Sequence, residues 1–358
     1  MSLPPFPGRD EAVQLLRGAV ERASLSGQEG EVANYLVGRM QTLGYRARVD
    51  GAGNAVGVVG RGPKNLVLLG HIDTVPGQIP VRVEDDELWG RGSVDAKGPF
   101  CMFIMGVALL GARVLERLTI TVIGAVEEES ASSKGARHAL ERYRPDYCII
   151  GEPSAWDAVT LGYKGRLVVR AAVTKDNFHS AGDDSTAGED LVGFWNALKR
   201  WADDFNAGQR VFDSLQLALQ SISSGGDGLA QRAEAVIGLR LPTRLPPSLA
   251  VAAVQGLAGL AVTCEFVGAE QPYRGPRDTP LTRTFRAAIR AQGGEPTLKL
   301  KTGTSDMNVV APRWACPILA YGPGDSRLDH RPDERLNLGE YWRAILVLSD
   351  AISRLAEQ

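Results

Sequence analysis

The sequence predicts an α/β fold: a central, mostly parallel sheet flanked by helices, interrupted by an inserted α+β module. Three observations carry this. Short apolar runs alternate with helical stretches, several runs end at small residues followed by an imidazole or carboxylates, and the alternation lapses in mid-chain before resuming. The expected division is a first part over 1–163, an insertion over 164–270, and the return of the first pattern over 271–358.

Two helices are expected first, over 10–22 and 29–43, the second placing Val32, Leu36, Met40 and Leu43 on one face. The apolar runs at 66–69, 118–125 and 147–150 read as buried strands. An apolar helix over 99–115 lies between the first two, so the order is strand, helix, strand. A strand-like run at 163–173 opens the insertion, and a Gly- and Asp-containing stretch over 177–190 leads into a helix over 191–201. The insertion closes with a strand at 235–241, a Pro-rich turn at 242–247, a helix over 249–260 and a strand at 261–267. A helix over 279–292 and a strand at 316–321 then restore the first pattern.

Composition narrows the function. The 358 residues are 44% hydrophobic and 23% charged, an ordinary globular balance. Forty Lys and Arg against 42 Asp and Glu leave a net charge of -2, so no global field draws the chain to nucleic acid or an anionic membrane. The longest apolar stretch, 99–110, is shorter than the roughly 20 residues a bilayer-spanning helix needs. No basic segment followed by an apolar one opens the chain, so a cytoplasmic protein is expected. Cys101, Cys148, Cys264 and Cys316 form no C-x-x-C pair and are expected as reduced core thiols.

In parallel α/β sheets, ligands bind beyond the carboxyl ends of the strands. His71 and Asp73 follow the first run and, two apart in an extended segment, point the same way; a packed His and a turn Asp are the plain alternative. Asp95 precedes the apolar helix, where N-capping is the alternative. Glu127, Glu128 and Glu129 follow the second run, at a strand end that should be buried, where carboxylates are costly unless paired or metal-bound. Glu152 repeats this after the third run, while His179 and His330 fall in polar loops and His138 in a helical stretch read as surface.

These residues, in this order, resemble the co-catalytic metallo-aminoacylases and peptidases that include acetylornithine deacetylase, succinyl-diaminopimelate desuccinylase and carboxypeptidase G2. The resemblance spans nearly the whole chain, with motifs at 70–76, 90–98, 127–135, 151–154, 179–182 and 303–306, and His330. It implies two divalent ions, zinc first and cobalt second, bridged by Asp95, with His71 and Glu152 completing one site and Glu129 and His330 the other. It makes Asp73 an orienting residue and Glu128 the general base; three consecutive Glu leave open a register with Glu127 as base and Glu128 as ligand. It gives His179 an oxyanion-stabilising role, commonly from a partner subunit, which implies a homodimer formed through the inserted lid. Arg240, Thr304 and Ser305 are similar to substrate-binding positions.

The segments 53–57 and 161–166 look most like the branch of lysine and arginine biosynthesis whose enzymes release lysine, or ornithine, from the C-terminal glutamate of an acidic amino-group carrier protein. Small acyl amino acids are the alternative substrates, and a catalytically silent metal-binding relative is the alternative of a different class. Arg283, Arg286 and Arg290 fall on one helical face, suited to an acidic partner or simply to solvent.

Overall fold

The computed structural model describes residues 7–178 and 184–358. The described residues form two compact units, one of residues 7–162, 275–300 and 305–358, the other of residues 163–178, 184–274 and 301–304.

The first unit is built on a sheet whose strands run, in spatial order, Arg46–Val49, Ala55–Gly60, Leu118–Ala125, Lys64–His71, Tyr147–Gly151, Ile318–Tyr321 and Ala158–Tyr163. The four from Leu118–Ala125 to Ile318–Tyr321 are parallel, and antiparallel strands flank them. Such strands are covered on both faces and therefore read as continuous apolar runs, as Leu66, Val67, Leu68 and Leu69 do, all buried. The helix Lys97–Ala108 has no polar face because every residue from Lys97 to Val107 is buried, packed against the sheet and the helix Leu338–Ala356. The single helix expected over 99–115 is two: the first ends at Ala108, and Gly111, in extended conformation, caps the short Ala112–Leu115.

Register is what positions the site. Gly70 pairs with both Gly124 and Gly151, and His71 with Ala125, so three parallel strands end flush. The residues just beyond them, His71 to Asp73, Glu127 to Glu129 and Glu152, therefore share one edge of the sheet.

The second unit is a four-stranded antiparallel sheet in the order Gln216–Gly226, Ala230–Leu241, Gly165–Asp176 and Thr263–Glu270. Leu167, Val169, Ala171 and Val173 alternate with more exposed neighbours and join Ala233, Ala235, Ile237, Leu239 and Leu241 in one core. The helices Ala187–Asn206 and Pro247–Ala258 complete that core, the first opened by a capping box between Thr186 and Glu189.

No described helix is long and apolar enough to cross a membrane. All four cysteines are free, Cys101 and Cys148 buried, Cys264 and Cys316 half-buried.

Candidate metal centre

His71 ends its strand with its side chain 1% exposed. Its Nδ1 lies 3.1 Å from the carbonyl oxygen of Asp73, which can only accept, so Nδ1 carries the hydrogen and Nε2 is left for another partner. That partner is Asp95, whose Oδ1 lies 3.1 Å from Nε2, with Glu152 Oε1 at 4.0 Å on the same side. The other oxygen of Asp95, Oδ2, faces a second imidazole: His330 Nε2 is 3.1 Å from it and 3.0 Å from Glu129 Oε1. One carboxylate thus stands between two imidazoles, each of which also meets a glutamate.

The electrostatics are those of a cation site. Burial works against a charged His71, yet hydrogen bonds to the Asp73 and Asp95 carboxylates and the charge of Glu128 hold it well above the usual histidine range. His330 is pushed up to about 10 by its hydrogen bonds to Asp95 and Glu129. Protons held this way by carboxylates are what a divalent ion displaces on binding. His71, Asp95 and Glu129 offer ligand atoms all within 4.8 Å of one another. Imidazole nitrogens with carboxylate oxygens are a donor set that borderline divalent ions accept, so the residues present fit such ions.

Asp73 does more than face an imidazole. Its side chain is fully buried and accepts from the N–H of Glu128 at 3.1 Å, the N–H of Glu129 at 3.0 Å and the Ser26 hydroxyl at 2.7 Å. It therefore ties the loop after Leu118–Ala125 to the segment that carries His71. Glu127, at φ 59, has its N–H bound by Glu29 Oε1 at 3.0 Å. The Glu127 carboxylate turns to the Ser132 hydroxyl at 2.7 Å and Lys134 at 3.3 Å, whereas Glu129 turns to His330. Of these two carboxylates, that of Glu129 is the one beside an imidazole. Between them, burial pushes the Glu128 carboxyl well above the usual range; His71 opposes this, and the like charges of Asp306, Glu152 and Glu129 add to it.

The remaining expected residues lie as follows. Ser305 is buried and caps the helix Asp306–Trp314, accepting from the N–H of Met307 at 3.2 Å, so its hydroxyl already has structural work. In the second unit, Arg240 donates to the Thr304 hydroxyl at 2.9 Å. His179 lies outside the described residues. His138 is half-buried, with Nε2 accepting from Arg142 at 2.7 Å and lying 3.6 Å from Asp50. Sequence reasoning gave no role to Glu29 and Glu334, and named Asp306 only as part of the 303–306 motif. Glu29 and Asp306 meet the Glu127 to Glu129 loop because distant segments fold beside it, and Glu334, at the end of the polar loop that carries His330, has no pattern of its own.

Residues 67–354 match peptidase family M20/M25/M40. A LysW-lysine hydrolase of Deinococcus radiodurans is 54% identical over 357 residues, covering 98% of this chain and 99% of that protein. A LysW-lysine/LysW-ornithine hydrolase of Sulfurisphaera tokodaii is 29% identical over 301 residues, 82% of each chain. Among solved structures, an M20 family metallo-carboxypeptidase from Sulfolobus solfataricus shares the fold with a TM-score of 0.80 at 17% identity, covering 98% of this chain and 100% of that one. The matched span contains the whole imidazole–carboxylate cluster, and on that span the chain belongs to peptidase family M20/M25/M40.

Proposed function

We propose that this chain is a divalent-metal-dependent amidohydrolase of the cytoplasm that releases lysine, or ornithine, from the C-terminal glutamate of an acidic amino-group carrier protein of the LysW kind. The observation that carries the chemistry is the Asp95 carboxylate with one oxygen toward His71 and the other toward His330. The substrate rests on the likeness to the Deinococcus radiodurans hydrolase, which extends over 98% of the chain.

Asp95 would be shared between two ions, zinc first and cobalt second, with His71 and Glu152 on one side and Glu129 and His330 on the other. When bound, such ions supply Lewis acidity that lowers the pKa of water and polarises the amide carbonyl. Glu128 is the proton carrier: its carboxylate takes a proton from the attacking water and delivers it to the nitrogen of the leaving amine. Asp73 fixes Glu128 for that task by holding the N–H groups of Glu128 and Glu129. His179 would stabilise the developing oxyanion, and the joined side chains of Arg240 and Thr304, with Ser305, would contact substrate.

The second unit serves, in this reading, as lid and dimerisation module. Its strand Gln216–Gly226 is a sheet edge, exposed along nearly its whole length, with Leu219 36% and Ile222 47% exposed. An edge of this kind is a template for pairing, and a second copy of the same strand is the proposed occupant.

The experiment is amine release by zinc- or cobalt-loaded protein from an acidic carrier domain with a C-terminal glutamyl-linked lysine, beside acetyllysine, acetylornithine and succinyl-diaminopimelate, each with and without chelator. Chelator-sensitive preference for the carrier is expected. Preference for a small acyl amino acid would replace the substrate and keep the chemistry; cleavage unaffected by chelator would overturn the metal reading.

A further inference from the structure

Glu334 is fully buried and belongs to none of the roles above. Its Oε1 accepts from three successive parts of one loop, the N–H groups of Gly92 at 2.9 Å, Val94 at 2.9 Å and Asp95 at 3.1 Å. Its Oε2 accepts from Arg91 Nη1 at 2.7 Å. Arg91, 13% exposed, donates onward to the carbonyl oxygens of Arg331 at 3.2 Å and His330 at 3.5 Å, and through Nε to Gly77 at 3.0 Å. One ion pair therefore clasps the loop that carries Asp95 to the loop that carries His330.

That clasp acts where the backbone needs holding. His330 has φ 62, a left-handed conformation that a residue with a side chain keeps only when its surroundings impose it. The bonds from Arg91 to the carbonyls of His330 and Arg331 are such an imposition. Beyond Glu334 the chain is pinned again, because Arg335–Asn337 pairs with Glu87–Trp89. The carboxylate thus sits between two fixed points, and the spacing it sets is that between Asp95 Oδ2 and His330 Nε2, 3.1 Å apart.

We infer that Glu334, with Arg91 behind it, is a positioning residue that sets the distance between the bridging carboxylate and the second-site imidazole, and so governs the ion on the Glu129 and His330 side. The inference rests on the metal reading above. Glu334 acts through the backbone N–H groups it binds and through Arg91, as groups behind metal ligands do, whose loss typically weakens metal affinity by about 10- to 100-fold.

The test is stepwise metal binding by the full chain, stripped with chelator and titrated with zinc by calorimetry and with cobalt by visible absorption. Two ions are expected for the unaltered protein. Glu334→Gln keeps an oxygen for the three N–H groups but sets an amide NH₂ against the Arg91 donor; Arg91→Met breaks the same link from the other side. Both should weaken one ion by about 10- to 100-fold and leave the other near its original affinity. Neither should weaken binding further when combined with His330→Ala, which removes the same site.

Two ions bound with unchanged affinity by both variants would overturn the inference while leaving the metal reading intact. Equal weakening of both ions, alongside a fall in the melting temperature of the metal-free protein, would overturn it in favour of a purely structural ion pair. An unaltered protein that binds no ion would overturn the metal reading itself, and the inference with it. Should Glu334→Gln fail to fold, Arg91→Met carries the same comparison.

Discussion

The role given to Asp73 can be tested by a change of one atom. Asp73→Asn keeps the shape of a side chain that is fully buried, lies 3.4 Å from His71 Nδ1, and accepts hydrogen bonds from Ser26 and from the N–H groups of Glu128 and Glu129. The amide can accept through its single oxygen, so at least one of the two loop N–H groups then faces an NH₂ donor. A hydrogen bond to a charged group contributes about 1.5–3 kcal/mol, and a buried donor left unpaired costs about 1–3 kcal/mol. If that energy is lost in the geometry that carries Glu128 and Glu129, about 1.4 kcal/mol per decade converts it to a fall of roughly 10- to 100-fold in kcat/KM. The assay is initial-rate amine release by variant protein whose metal content has been measured and matched to the unaltered protein. A variant within about threefold of the unaltered kcat/KM, fully loaded, would refute the claim that Asp73 anchors the Glu128–Glu129 loop; the threefold margin is about 0.65 kcal/mol.

Other outcomes follow from the same geometry. Glu128→Gln should bind both ions and lose about 10²- to 10⁴-fold in kcat with little change in KM, the range a proton carrier supplies. Glu129→Gln should lose affinity for one ion while Glu127→Gln keeps both, because Glu127 turns to Ser132 and Lys134; the reverse pattern in a metal titration would move the register by one. Gly135→Ala should cost about 1–3 kcal/mol in urea unfolding, since an added Cβ would stand 2.5 Å from the backbone nitrogen of Val126, which cannot swing aside as a side chain can. Ile222→Lys, a charge on the exposed edge strand, should convert the proposed dimer to monomer in light scattering, and an unchanged mass would remove that edge from the proposed interface.

The parallel core was legible because burial on both faces makes its strands continuous apolar runs, and the fold class read from them holds. Strands without that signature were missed. Gln216–Gly226 lies at an edge and keeps almost no side chain buried; Leu217 and Leu219 alternate with Gln216, Ala218 and Gln220, but the pattern breaks at the irregularity between Leu219 and Ser221 and the strand ends in Ser and Gly. Arg46–Val49 and Ala55–Gly60 escaped for the related reason that the first is exposed and the second is short and interrupted by Gly57.

His71, Asp95, Glu129 and Glu152 could be picked out because each stands at a position with a local signal, past an apolar strand or before an apolar helix; His330, in a polar loop, was singled out as a ligand only by the family resemblance. What a sequence does not mark is the residue that makes such a group stand in the right place. Asp73 reaches its two amides across 55 and 56 residues, and Glu334 reaches the Asp95 loop across 239 to 242. In both cases a buried carboxylate accepts backbone N–H groups, a demand made by the tertiary fold and invisible to periodicity or spacing. The two have parallel effects: Asp73 joins the His71 segment to the glutamate loop, and Glu334 with Arg91 joins the Asp95 loop to the His330 loop. The segments that carry His71, Glu129, Asp95 and His330 are thereby fixed in pairs by a carboxylate that need never touch an ion. Loss of Asp73 should therefore disturb Glu128 and proton transfer first, and loss of Glu334 should disturb metal occupancy first, a division that kinetics on metal-matched protein and metal titration can separate.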